Sequence, residues 1–204
     1  MAIDHDKIRE GVLGLGMVGT EDTGLLRTFG VILANNPVDY LVDRESEFIN
    51  LLGASATPLA EKVLIDAAQW CANATFGGIM DSSEWAGLVQ PMIEKPADKL
   101  EGIIAVTNVL GWGHISDWDL NEETEELTFK VEHSYYVKNW IDRYGKSERP
   151  RCYMWTGVAG GYLDLMYGEK VHDFVGEETE CGCVTGKDEC VFTAKKVKKK
   201  YSML

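Results

Sequence analysis

Four of the five cysteines in this 204-residue chain fall between positions 152 and 190: Cys152, Cys181, Cys183 and Cys190. No other feature constrains the fold as strongly. Residues 152–167 read as a helix, and 170–180 and 189–197 read as two strands joined by a turn at 182–188. A cysteine that opens a helix and three more around a β-turn converge on one point. Thiolates meeting there with a nearby carboxylate, Glu178 or Glu180, make a tetrahedral site suited to zinc. The extra thiol, Cys183, also permits a four-cysteine site or an iron–sulfur cluster.

Whether such cysteines bind metal or pair as disulfides depends on the compartment. The first residues, MAIDHDKIREG, are charged and lack the apolar core of a signal peptide. No apolar run is long enough to span a bilayer. A cytoplasmic location is therefore expected, where thiols stay reduced and clustered cysteines are metal ligands more often than cystines. The fifth, Cys71, reads as a small buried apolar residue.

The formal charge of −13 argues against nucleic acid and against anionic membrane surfaces as partners. The only basic run, KKVKKK at 195–200, reads as a solubilising tail after the last strand. A hydrophobic content of 45% is that of a folded globule.

In chain order, Gly14-x-Gly16-x-x-Gly19 has the letters of a dinucleotide fingerprint, but lacks the preceding buried strand and the βαβ context. It reads instead as a flexible glycine-rich segment at a subunit interface. Helices are expected over 21–34 and 37–53, then a long one capped by Thr57 and opened by Pro58, then two short ones over 82–93 and 96–109. Near 110 the pattern changes to a hairpin, GWGHISDWDL and ELTFKVEHSYY, with its loop at 121–125. The helix VKNWIDRYG and the cysteine-bearing helix and strand pair follow. The expected fold is α+β, a helical N-terminal half plus a four-stranded antiparallel sheet covered by helices. One domain is expected over 1–204. Residues 1–109 would supply dimerisation and pocket cover, and 110–198 the sheet, its helices and the metal site.

The C-terminal half resembles the 4-vinyl reductase, or hydrocarbon-binding, domain family. The resemblance rests on Pro150-x-Cys152, the run Gly157-Val-Ala-Gly-Gly161-Tyr162 with Gly168, the segment Glu178-Thr-Glu-Cys181, and the ending Gly186, Cys190 and Phe192. It implies helices packed on a four-stranded antiparallel sheet, an architecture shared with haem nitric-oxide-binding domains and Golgi-transport tethering subunits. It also implies dimers, and small hydrophobic or aromatic ligands held between helices and sheet. The family includes the ligand-sensing domains of phenol- and xylene-responsive activators and a protein linked to bacteriochlorophyll synthesis. Sensory-type members hold zinc on three cysteines and a glutamate, a set that carries over to Cys152, Glu178, Cys181 and Cys190. The spacing is one residue off the family's usual one in either register, so Glu178, Glu180 and Cys183 compete to complete the site.

Pocket candidates are the aromatic and histidine positions of the sheet and its covering helices: Trp112, His114, Trp118, Phe129, His133, Tyr135, Trp155 and Tyr162. Alternation places Trp112 and His114 together on one face of the first strand. His172 is expected at the surface. No nucleophile elbow, phosphate loop or metalloprotease motif is present. The expected function is binding or sensing of a small hydrophobic or aromatic ligand, braced by structural zinc. The alternatives are an enzyme or accessory protein in aromatic or tetrapyrrole vinyl-group reduction, and a ligand-free scaffold.

Overall fold

A computed structural model describes residues 2–197, so part of the basic run at 195–200 lies outside the described residues. The helices are α1 (His5–Gly14), α2 (Val38–Leu52), α3 (Thr57–Met80), α4 (Ser83–Leu88), α5 (Pro96–Thr107), α6 (Tyr135–Tyr144), α7 (Tyr153–Tyr167) and α8 (Gly182–Thr185). The strands are β1 (Leu26–Thr28), β2 (Val31–Leu33), β3 (His114–Asn121), β4 (Glu126–Glu132), β5 (Phe174–Glu180) and β6 (Glu189–Lys196). The fold is α+β.

Strands β3, β4, β6 and β5 form, in that order, one antiparallel sheet. Its register sets what faces the helices. Trp118 pairs with Phe129, Phe129 with Phe192, and Phe192 with Glu178. The adjacent row runs Ile115, Val131, Cys190. Across an antiparallel sheet, paired residues point to the same side. Apolar side chains therefore line that face until Cys190 on β6 and Glu178 on the edge strand β5.

Helix α7 lies on this face and is itself covered by α3. Its interior position explains its composition, apolar on all sides. Three glycines let α3 approach. A methyl group on Gly157 would meet the Ala68 Cβ at 2.6 Å, and one on Gly160 would meet the Gln69 amide at 2.8 Å. On the sheet side, a Cβ on Gly176 would land on the Thr156 carbonyl oxygen. The core is continuous from Ile8 on α1 to Ala194 on β6.

The expected helix over 21–34 is instead the hairpin β1–β2. Phe29 and Gly30 both have positive φ, at 50° and 71°, which makes the two-residue turn that matches strand twist. Thr57 does not cap α3: the N-cap is Ala56, without a side-chain hydrogen bond, and Pro58 occupies the first turn. The glycines at 14–19 follow helix α1 rather than a buried strand, so the dinucleotide geometry is absent there. No single helix among the described residues is long and apolar enough to cross a membrane.

Candidate metal cluster and apolar cavity

Cys152 is the N-cap residue of α7. The loop before it is tied down: Arg149 pairs with Glu61 of α3 at 2.5 Å, and Arg151 stacks over the Trp140 ring at 4.6 Å. On the opposite side, β5 carries a bulge between Glu178 and Glu180. Alternation alone would send Glu180 inward with Phe174, Gly176 and Glu178. The extra residue turns Glu180 out to solvent and brings Cys181 in. Helix α8 then folds back so that the Gly182 N–H donates to Cys190 Sγ at 3.2 Å.

The result is a cluster of Cys152, Glu178, Cys181 and Cys190 whose ligand atoms all lie within 4.8 Å of one another. The Cys152 and Cys190 sulfurs are 3.6 Å apart, too far for a disulfide. Tetrahedral zinc with bonds of about 2.3 Å would hold sulfurs about 3.8 Å apart. Glu178 Oε2 accepts from the Cys152 N–H at 3.0 Å, while Glu178 Oε1 is buried without a hydrogen-bond partner among the described residues. An orphaned buried carboxylate oxygen facing three thiols is the donor set a cation completes. Cys183 is buried beside Cys152 and Cys181 but falls outside the four-residue group.

The electrostatics agree. Hydrogen bonds from Cys152, Cys183 and Cys190 hold the Cys181 thiol far below its usual range. Hydrogen bonds with Cys181, Cys183 and Cys190, and then burial, push Cys152 well up. Burial and then the Cys181 thiolate push Glu178 to about 8. A divalent cation would bind the set fully deprotonated.

A second feature adjoins the cluster. A cavity of about 490 Å³ opens between α2, α3, the first turn of α7 and the α5–β3 connection. Trp112, Tyr135, Leu41, Leu64 and Met154 give it apolar walls. Asn108 fixes the connection, donating to the Ile115 carbonyl at 3.0 Å and accepting the Ile115 N–H at 2.8 Å. The Trp112 carbonyl accepts from the Tyr135 N–H at 3.0 Å.

Of the pocket candidates, Trp112 and Tyr135 line this cavity. Phe129, Trp155 and Tyr162 are fully buried in the aromatic core between sheet and α7, where Trp155 backs Trp112 edge-to-face at 6.2 Å. Trp118 packs on the same core at the sheet edge. His114 does not share the inner face: it pairs with Glu132, is exposed, and leaves the inner position to Ile115. Gly113, with φ of 154°, breaks the alternation that would have linked it to Trp112. His133 is exposed and bonds Asp188 at 2.6 Å.

Cys71 is exposed, not buried, and lies in the cavity wall. His172 is half-buried rather than at the surface, with Nδ1 donating to Gln69 Oε1 at 3.0 Å.

Sequence reasoning missed two polar groups. Asp164, wholly buried in α7, accepts from the Phe174 N–H at 3.0 Å, the His172 N–H at 3.1 Å, Gln69 Nε2 at 2.7 Å and Asn73 Nδ2 at 3.3 Å. Glu45 of α2 is 4% exposed and reaches the cavity. Its Oε2 makes no hydrogen bond of ordinary geometry among the described residues, its Oε1 lies 4.0 Å from the Arg44 guanidinium, and the Tyr136 hydroxyl also faces the carboxyl.

Burial pushes the Glu45 carboxyl up from 4.5 to about 7, against the pull of the Tyr136 hydroxyl and Arg44. Between those values the folded state holds a proton that the unfolded chain has released, so stability falls as pH rises through that window. Glu45→Gln cannot titrate and is expected to remove the slope. Its gain over the native chain should reach up to about 3 kcal/mol above neutral pH and shrink near about pH 5. Urea denaturation at both pH values checks this, and an equal difference at both would contradict it.

Two solved structures share the fold of this chain. The phenol-responsive sensory domain of the transcription activator PoxR, solved with phenol, superposes with a TM-score of 0.68 at 18% identity, over 93% of this chain and 90% of that one. Subunit 3 of the trafficking protein particle complex from Naegleria fowleri, covalently bound to palmitic acid, superposes with a TM-score of 0.54 at 13% identity, over 79% of this chain and 95% of that one. No family model and no curated protein matches the sequence.

Proposed function

We propose that this protein is a cytoplasmic binding or sensing domain that holds a small apolar, preferably aromatic, molecule in the cavity beside α7, with a structural zinc ion on Cys152, Glu178, Cys181 and Cys190. The observation that carries the reading is the cavity itself, which has the size and mixed aromatic and aliphatic lining of a small-molecule site. The likeness in fold to a phenol-responsive sensory domain supports it. Four protein ligands close the metal's coordination, so the metal would brace the start of α7 rather than act on substrate. Residues 1–109 supply most of the cavity's cover, and with 110–197 they form one domain. Burial of ligand surface, at about 25 cal/mol per Å², would drive binding.

Native mass spectrometry with elemental analysis tests both halves. One zinc per chain and a small organic adduct are expected. Iron with sulfide would replace zinc by a cluster and favour the redox alternative; absence of both metal and adduct would leave a scaffold.

A second reading rests on Cys71. Its thiol stands in the cavity wall, and the trafficking subunit of similar fold carries covalent palmitic acid. A fatty acyl thioester on Cys71 would appear in the same spectrum as a mass lost on hydroxylamine treatment.

We also place a homodimer contact on the outer face of α2 and α3, where Leu51, Leu59, Val63 and Trp70 are exposed, Trp70 by 59%. Trp70→Glu is expected to convert dimers to monomers in analytical ultracentrifugation while zinc content stays constant. A native chain that is monomeric at high concentration would remove this assignment.

A further inference from the structure

Glu45 is only weakly satisfied within the fold. Its helix, α2, turns Val42, Glu45, Ser46 and Ile49 inward, and an apolar residue at position 45 would bury more comfortably. Other buried carboxylates here are accounted for: Asp98 accepts the Glu94 and Lys95 N–H groups at the start of α5, Asp164 accepts four hydrogen bonds, and Glu178 belongs to the thiol cluster. Among the described residues, Glu45 reaches the cavity with Oε2 free of any hydrogen bond of ordinary geometry, its carboxyl facing only Arg44 and the Tyr136 hydroxyl. The Tyr136 hydroxyl from α6 is likewise buried without a partner of ordinary geometry. The cavity around Glu45 is lined mostly by apolar and aromatic residues, with Asn35, Asn36 and Arg44 as its other polar members.

We propose that Glu45 is the polar anchor of the cavity and restricts its ligands to molecules that carry a hydroxyl or amine donor on an apolar body. The inference rests on the cavity being a ligand site. A ligand O–H or N–H would satisfy Glu45 Oε2, while the body of the molecule lies between Trp112, Tyr135 and the leucines of α2 and α3. Apolar contact provides affinity without selectivity, and an unpartnered buried acceptor discriminates against molecules that cannot satisfy it. The raised proton affinity of the carboxyl favours the same pairing, because a donor that binds the charged form restores what burial removed.

The test is a series of similar shape, p-cresol, benzylamine, toluene and benzoate, titrated by calorimetry into the full zinc-loaded chain. Tighter binding of p-cresol or benzylamine than of toluene, by roughly tenfold or more, is expected, with benzoate weakest. Glu45→Met should leave the toluene affinity in place and bring the donor ligands down to it. Glu45→Gln, which keeps an acceptor oxygen but no charge, separates the two donor classes: p-cresol binding survives if the hydroxyl is the natural head group, and benzylamine binding is lost in either case. Equal affinity of toluene and p-cresol in the native chain, or an unchanged ratio in Glu45→Met, overturns the anchor and leaves the cavity a ligand site. Failure of every probe, toluene included, overturns the ligand-site reading and the anchor with it.

Discussion

Cys190→Ser and Cys152→Ser are each expected to lose the metal and to lower stability by several kcal/mol, on the order of 5. For a domain of this size that is a fall of roughly 10–20 °C in thermal midpoint. The large effect follows from geometry. Cys152 caps α7, Cys190 stands mid-sheet on β6, and Cys181 and Glu178 flank the β5 bulge. One ion would therefore fasten the central helix to two strands. The companion variants discriminate. Glu178→Ala should release the metal and Cys183→Ser should retain it, because Glu178 and not Cys183 belongs to the group of four. Cys71→Ser, in the cavity wall, should keep full metal content. Elemental analysis reads all five, and full zinc in both Cys152→Ser and Cys190→Ser would remove the assignment.

Asp164→Ala should be comparably damaging for a different reason. The carboxylate is wholly buried and receives four N–H groups, two from the backbone after α7 and two from side chains of α3. Removing it strands those donors in the core, at a cost of about 3–5 kcal/mol. The residue lies roughly 18 Å along α7 from Cys152, at 1.5 Å per residue. Zinc content should therefore be unchanged while the thermal midpoint falls by roughly 6–20 °C. A midpoint within a degree or two of the native chain would show that the network carries little of the stability.

The thiol cluster was legible because cysteine is rare and four of the five fall within one helix and the hairpin after it. The sequence could not choose between Glu178 and Glu180, because the choice is made by a one-residue bulge in β5 that no residue type announces. The hairpin β1–β2 was hidden for a similar reason: LLRTFGVIL has apolar residues at helical as well as strand spacing, and Phe-Gly is a weak turn cue. Helix α3 is apolar around most of its circumference, so periodicity could not say that Cys71 faces the cavity rather than the core. The polar residues set in otherwise apolar helical runs, Gln69 and Asp164, were the available sign of the buried network. Aromatic positions proved ambiguous throughout. Trp112 reaches the cavity and Trp155 packs directly behind it, and nothing in composition distinguishes the two.

The first turn of α7 holds Cys152 in the thiol cluster and, two residues on, Met154 in the cavity wall. Two occupants that share one structural element are coupled when both bias its geometry. If metal fixes that turn in the geometry a ligand prefers, the ligand must strengthen metal binding by the same factor, since the coupling is a property of the cycle and not of either site. A ligand-filled molecule would then surrender its metal to chelators more reluctantly than an empty one. Cellular zinc supply and ligand supply would be two inputs read by the same helix.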